Sequence, residues 1–368
     1  MGIKFNILAK DGQARAGVLQ TDHGEVHTPT ITVNFTPALL RSGLSANLLK
    51  DLGVELILVN TLHTMMEHNM QAPDIHQELG WQGPIFADSG GFQMVSLAKK
   101  MRVEKDGIKF SWDDAEYKIT PAQVVAWQQQ MGVDIIMSLD RVWHLRVKNP
   151  LAYIQSVLTT EKWFRTSQGI SENTYYILQG GLNRLARNLS LKYANKHLSE
   201  NVAGVAIGGL AFGEPRPYMY RMIDFCNQKL PENKPRHLLG VGEPVDLLES
   251  IARGIDTFDC VSHTREARHG RLLTTHGYLR LRRSEYTNDA SVIENGCDCP
   301  TCRTRISRAE LRAGMKSLDS AIRQQTLINL MLHNIRFLMR LMEESRGAIQ
   351  EGRFQEFKQE FLASFQTK

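Results

Sequence analysis

Cysteine is scarce in this chain, five in 368 residues, which excludes the dense disulfide framework of a small secreted scaffold. Long apolar runs are missing as well. No stretch approaches the roughly 20 residues that a membrane-spanning helix needs, and Met1 to Gln20 lacks the apolar core of a signal peptide, so a cytosolic protein without membrane contact is expected. Neither an internal repeat nor a low-complexity linker divides the sequence. No G-x-G-x-x-G follows the first apolar run, which counts against an open dinucleotide-binding sheet. Nor does Val33-Asn34-Phe35 offer the His-x-His that a metal-dependent barrel hydrolase would use at that place.

With 42% hydrophobic residues the chain can bury a substantial core, either as one large α/β barrel or as two smaller domains. Lys and Arg exceed Asp and Glu by 44 − 39 = +5, a weak global pointer to a polyanionic partner. The local distribution says more. Arg265, Arg268, Arg271, Arg280, Arg282 and Arg283 fall close together, as a phosphate-binding surface requires, although a solvated charged face would look the same.

Short apolar runs, many of them β-branched, recur at Thr30–Val33, Glu55–Asn60, Pro84–Ala87, Asp134–Leu139, Thr174–Leu178, Gly204–Ile207, His237–Val241 and Thr257–Val261. Segments with helical periodicity lie between them. Continuous apolar strands alternating with helical crossovers imply a parallel sheet covered on both faces, and eight such units in about 260 residues suit a closed (β/α)8 TIM barrel. Thr120-Pro121 should cap a helix over Ala122–Met131 that stops at Gly132, and Glu243-Pro244 should start another that runs through Ala252 and ends near Gly254. Within 94–119, Val103–Lys105 and Ile108–Ser111 flank Asp106-Gly107, which predicts a β hairpin inserted after the third barrel strand. The expected division is a catalytic barrel over 1–276, then a zinc-binding subdomain with closing helices over 277–368, helical from Ala309 to Phe365.

Catalytic groups of such a barrel sit at the carboxyl ends of its strands. There the sequence places Asp88 after the third strand, Asp140 after the fourth, Gln179-Gly180-Gly181 after the fifth, Gly208-Gly209 after the sixth and Asp259 on the eighth. Each alone has a duller explanation as a cap or turn; their convergence on one mouth predicts an active site. Paired carboxylates suit glycosidic chemistry, one attacking the anomeric carbon and one delivering a proton to the leaving group. A third can accept hydrogen bonds from the N–H edge of a purine, and bare glycine backbone lets a flat base come close.

Cys297-x-Cys299-x2-Cys302 has the spacing of a metal knuckle, and His333 on a predicted helix completes a closed Cys3His set for structural Zn2+. His263, His269 and His276, all upstream, are the alternatives for the fourth ligand, and a redox Cys-x-x-Cys is the alternative for the whole cluster.

Taken together, Asp88-Ser-Gly-Gly-Phe-Gln93, Gln179-Gly-Gly181, Gly208-Gly-Leu-Ala-Phe-Gly-Glu-Pro215, Gly254-Ile-Asp-Thr-Phe-Asp-Cys-Val261, Thr264-Arg-Glu-Ala-Arg268 and the cysteine cluster resemble the tRNA-guanine transglycosylase family over roughly Phe5 to Met342. The resemblance implies a homodimer that exchanges guanine in tRNA for a 7-deazaguanine. It implies Asp259 as the nucleophile toward C1′ of the target ribose and Asp88 as general acid, then base. Asp140, Gln179, Gly208 and Gly209 would hold the base edge, with Phe92 stacked on the ring and the Leu210 carbonyl on the substituent of the incoming base. Arg265 and Arg268 would grip the flanking nucleotides. Against the bacterial pattern, Arg141-Val142 follow Asp140 and His263 stands in place of a proline; Val142 is more like the eukaryotic, queuine-using members, whereas Phe212 should narrow the pocket against so bulky a base. The alternatives are a paralogue that places a deazaguanine in DNA and a non-catalytic RNA-binding partner subunit, the latter expected to lack one of the aspartates that are both present here.

Overall fold

The computed structural model describes residues 2–91, 101–112, 115–143, 149–199 and 202–366. Its strands β1 (Lys4–Asp11), β2 (Ala14–Thr21) and β3 (Gly24–Thr28) form an antiparallel sheet. Strands β4 (Thr30–Asn34), β5 (Ile57–Val59) and β6 (Ile85–Ala87) open the barrel, and β7 (Met101–Glu104), β8 (Gly107–Trp112) and β9 (Ala115–Ile119) make a separate three-stranded sheet. The barrel resumes with β10 (Ile136–Met137), β11 (Thr174–Leu178), β12 (Gly204–Ile207), β13 (Arg236–Leu238) and β14 (Thr257–Asp259), and a hairpin follows, β15 (Arg271–Thr274) with β16 (Gly277–Arg280).

The eight expected barrel strands are the eight observed, joined in parallel in the order β10-β11-β12-β13-β14-β4-β5-β6. A parallel bridge between Phe86 and Ile135 brings the two ends of that order together. Alternation along each strand divides the core in two. Leu58, Phe86, Met137, Tyr175, Ile177 and Ala206 pack with one another inside the barrel, while Ile57, Ile85, Tyr176, Leu178 and Val205 face the surrounding helices.

The fourth strand is much shorter than the apolar run that predicted it. Where a neighbouring strand would pair with β10, the side chain of Gln128 takes over: Met137 N–H donates to Gln128 Oε1 (2.9 Å) and Gln128 Nε2 donates to the Met137 carbonyl (3.0 Å). The same Nε2 lies 3.4 Å from the Asp88 carbonyl. Gln128 belongs to helix Pro121–Gln130, which begins at a Thr120 cap with a reciprocal Gln123 contact, as its sequence required. Helix Pro244–Ile251 likewise starts where expected.

The predicted insertion exists but has a third strand and a hairpin shifted by one residue. Glu104 pairs with Gly107, so Lys105 and Asp106 form the turn. Gly107 serves close approach instead: a side chain there would run into the Ile119 carbonyl of β9.

The sheet β1–β3 had no counterpart among the expected elements. It covers the amino-terminal mouth of the barrel, sending Leu19 and Val26 into the interior cluster. Arg15 of β2 is buried against Asp256, at 2.7 and 2.5 Å, just before β14. With that mouth plugged, the opposite one is left for chemistry.

The helical region near the carboxyl end is three helices, Arg308–Met315, Ser320–Gln350 and Phe354–Ser364. Asp319 caps the second and Gly352, at φ +70°, separates it from the third. The 31-residue helix packs on β1, β2, β4 and β15, and hairpin β15–β16 straddles position 276. Among the described residues no helix is long and apolar enough to cross a membrane.

Candidate active site

At the carboxyl mouth, a cavity of about 340 Å³ is lined by Asp88, Asp140, Gly208, Gly209, Leu210, Asp259 and Arg265. Residues from strand ends far apart in sequence therefore share one space. Phe92 lies outside the described residues. Val142 and Phe212 also line the cavity.

Asp88 is half-buried. Asn60 Nδ2 donates to one carboxylate oxygen (2.5 Å) and Thr61 N–H to the other (3.0 Å), while the Thr61 hydroxyl holds the Asp88 carbonyl. Asn60 does double duty, since its Oδ1 caps helix Thr61–Glu67 by accepting from His63 N–H at 2.9 Å. Both oxygens of Asp88 are thus oriented from the β5 end.

Asp140 is buried. Ser89 Oγ donates to Oδ1 (2.7 Å) and Gln179 Nε2 to Oδ2 (2.5 Å). Burial pushes its carboxyl up to about 6, against the pull of those two donors. Gln179 stands behind Asp140 as its partner. Gly209 adopts φ +68°, and a side chain there would press on Gln179 Oε1, 2.7 Å from the Cβ position, so the amide and the second diglycine are fitted to one another.

Asp259, at the end of β14, accepts on Oδ1 from Gly240 N–H (2.9 Å) and faces His237 Nε2 (3.0 Å). Next to this cavity lies a second of about 1000 Å³, sharing Asn34, Asn60 and Val261 with it. Arg268 lines the second, with Arg41, Arg323, His63 and Trp112; the last two rings meet edge to face at 6.2 Å. Arg265 and Arg268 of the basic stretch therefore line adjacent spaces.

Sequence reasoning missed two residues of this framework. Arg187, buried on helix Arg184–Leu198, donates to the carbonyls of Gly181 (2.9 Å), Leu178 (2.8 Å) and Gly208 (2.7 Å), clamping both diglycine loops. His237 opens the expected strand His237–Val241, and its position alone does not set it apart there from a structural residue. The signals were an arginine at the fourth position of a helix following Gly-Gly, and a histidine within an apolar run.

Cys297, Cys299, Cys302 and His333 come together, all buried. The three sulfurs lie 3.7, 3.5 and 3.5 Å from His333 Nδ1, close to the edge of about 3.6 Å that a tetrahedral zinc site with ordinary bond lengths would have. His333 Nε2 donates to the Leu273 carbonyl at 2.7 Å, which leaves Nδ1 as the ligand atom. The cluster can hold a metal ion, with no ligand position left for water. A second group, His23, His76 and Asp134, is built otherwise: the two imidazoles are stacked at 3.9 Å, and His76 spans the carbonyls of Trp81 (2.9 Å) and Gly132 (3.0 Å). Stacked rings cannot both aim in-plane lone pairs at one ion.

The sequence pattern described as queuine tRNA-ribosyltransferase matches residues 10–367. A queuine tRNA-ribosyltransferase of Fusobacterium nucleatum is 37% identical over 380 aligned residues, covering 100% of this chain and 99% of the relative. One from Caldanaerobacter subterraneus is 37% identical over 380, covering 99% and 98%; one from Aquifex aeolicus is 36% identical over 382, covering 99% of each. On this end-to-end similarity, the chain belongs to the queuine tRNA-ribosyltransferase family, the tRNA-guanine transglycosylases that its motifs resemble.

Proposed function

We propose that this protein exchanges guanine at the anticodon wobble position of tRNA for a 7-deazaguanine, preQ1 or queuine, through a covalent ribosyl-aspartate intermediate, in queuosine modification. As a member of its family it is a pentosyltransferase of tRNA guanine modification. The observation that carries the finer assignment is the placement of Asp88, Asp140 and Asp259 around a single cavity at the strand ends. Asp259 attacks C1′ of the target ribose as Asp88 protonates the departing guanine. Asp88 then takes the proton of the incoming deazaguanine, whose nitrogen displaces Asp259 from C1′, so two inversions retain the configuration.

Asp140 accepts from the N–H edge of the base, held by Ser89 and Gln179, while Gly208, Gly209 and Leu210 offer backbone and Phe92 a stacking ring. Phe212 on the cavity wall favours a small 7-substituent over queuine. Arg265 meets the phosphates beside the target nucleotide, and the Arg41, Arg268 and Arg323 groove takes the next ones. Relatives named for tRNA favour RNA over DNA as the polymer. The metal of the Cys3His cluster is zinc in a structural role, supported by the donor set; the barrel over 1–276 and the unit over 277–368, a cytoplasmic location and a homodimer complete the proposal.

Labelled guanine offered with tRNA and with duplex DNA, followed by the mass of the tRNA after incubation with each base, tests this function. Exchange confined to tRNA is expected, together with its loss, and loss of the covalent adduct, in Asp259→Ala and slow turnover in Asp88→Ala. Undiminished guanine exchange by Asp259→Ala would overturn the nucleophile.

A further inference from the structure

Thr257 and Asp259 stand two residues apart on β14 and therefore project to the same side. His237 is paired in register with Thr257 from the neighbouring strand and bridges the two: Nδ1 lies 2.9 Å from Thr257 Oγ1 and Nε2 lies 3.0 Å from Asp259 Oδ1. The imidazole is fully buried and stacked on Phe86, with ring centroids 4.4 Å apart and planes 28° from parallel. A phenyl ring would fill such a place without the cost of burying two nitrogens.

An ionised carboxylate only accepts, so the hydrogen between His237 and Asp259 belongs to Nε2. In the neutral ring Nδ1 then accepts from the Thr257 hydroxyl, which fixes the tautomer. Gly240 N–H donates to the same Oδ1 at 2.9 Å. Two fixed donors on one oxygen leave the other distinct.

We infer that His237 is a positioning residue for Asp259: together with Gly240 N–H it anchors Oδ1, and so assigns Oδ2 as the oxygen that bonds to the ribose. The inference rests on the proposed nucleophilic role of Asp259. In that step a lone pair of Oδ2 forms the Oδ2–C1′ bond as C1′–N9 breaks. The electron pair of the broken bond stays with guanine, which receives the proton of Asp88. The hydrogen on His237 Nε2 is not transferred; it stays on the nitrogen and remains hydrogen-bonded to Oδ1, which becomes the carbonyl oxygen of the ester.

His237→Phe keeps a ring against Phe86 and removes both nitrogens, whereas His237→Gln returns an N–H donor at the reach of Nε2. For His237→Phe, kcat for guanine exchange is expected to fall about 10- to 100-fold, with adduct formation in a single turnover slowed to match. KM for tRNA and for the base should stay near the parent values, and the thermal midpoint should be equal or higher. His237→Gln should recover most of the rate. Parent-like kcat in His237→Phe, a change confined to KM, or His237→Gln as slow as His237→Phe would each overturn the inference. Asp259→Asn, measured alongside, separates the two levels: an active Asp259→Asn sinks the nucleophile itself, while an inactive one beside a fully active His237→Phe sinks only the role of the histidine.

Discussion

Arg187 donates through Nη2 to the Gly208 carbonyl at 2.7 Å, and the remaining nitrogens of its guanidinium hold the Gly181 and Leu178 carbonyls. Loops leaving two adjacent barrel strands are thereby set against each other by one planar group buried beneath them.

Arg187→Met leaves the Gly181 and Gly208 carbonyls without this donor, at about 1–3 kcal/mol for each buried group left unsatisfied, while the Leu178 carbonyl keeps the Gly208 N–H at 3.0 Å. Several kcal/mol of stability should be lost in denaturant titration. Arg187→Lys should recover little, because an ammonium cannot span three coplanar acceptors. A variant with parent stability and parent KM for the base would show that the clamp is dispensable.

Asp140 titrates in the folded protein near 6, above its ordinary value of 3.8, because burial outweighs the Ser89 and Gln179 hydrogen bonds. A raised carboxyl pKa means that stability is greatest when the group is protonated and declines as pH rises from about 4 through 6, by about 3 kcal/mol in all. Asp140→Asn should therefore raise the thermal midpoint at pH 7.5, leave it unchanged near pH 4, and abolish base exchange. In the parent, kcat/KM for the base should fall as pH drops through about 6, where the acceptor is lost. Equal melting of the two proteins at neutral pH would contradict this.

His263 is buried, with neither ring nitrogen hydrogen-bonded among the described residues, and burial lowers its pKa from 6.5 to about 4 despite the nearby charge of Asp259. The unfolded chain binds this proton first, so stability is full above about pH 6.5 and falls toward pH 4, by about 3 kcal/mol. His263→Leu should flatten the acid limb of the stability curve by close to one proton. An unchanged slope between pH 4 and 6.5 would place the acid sensitivity elsewhere.

Cys299→Ser takes one ligand from the Cys3His cluster. The protein as purified is expected to carry one zinc per chain, and the variant much less, with a lower unfolding midpoint. The link from His333 to the Leu273 carbonyl should carry the damage into hairpin β15–β16, visible as faster amide exchange there. Full zinc content in the variant would remove the cysteine from the ligand set.

The barrel strands were legible because each is an apolar run closed by glycine or a polar residue, and Asp88, Asp140 and Asp259 at those ends line one cavity. The cysteine knuckle was legible because its spacing is local. What stayed hidden depends on partners distant in sequence. Arg187 reads as one more basic residue on an amphipathic helix until Gly208 folds over it. His237 reads as a strand residue until Asp259 arrives two positions beyond its register partner. Sheet β1–β3 alternates exposed with half-buried residues in β1, so its pattern is that of an outer ribbon, and only the closed barrel gives Leu19 and Val26 somewhere to go. At Asp106-Gly107 the glycine was correctly noticed and wrongly explained, because the crowding that demands it comes from a third strand.

Gln128 joins the barrel where its third and fourth strands, β6 and β10, meet, imitating a peptide group toward Met137 and touching the carbonyl of Asp88. The ends of the strands carrying Asp88 and Asp140 are consequently gauged from the outer wall. Turning helix Pro121–Gln130 by a few degrees would alter the gap between Asp88 and Asp140 while leaving every surface of the pocket intact, so sensitivity to substitution should extend to a layer that no substrate ever reaches.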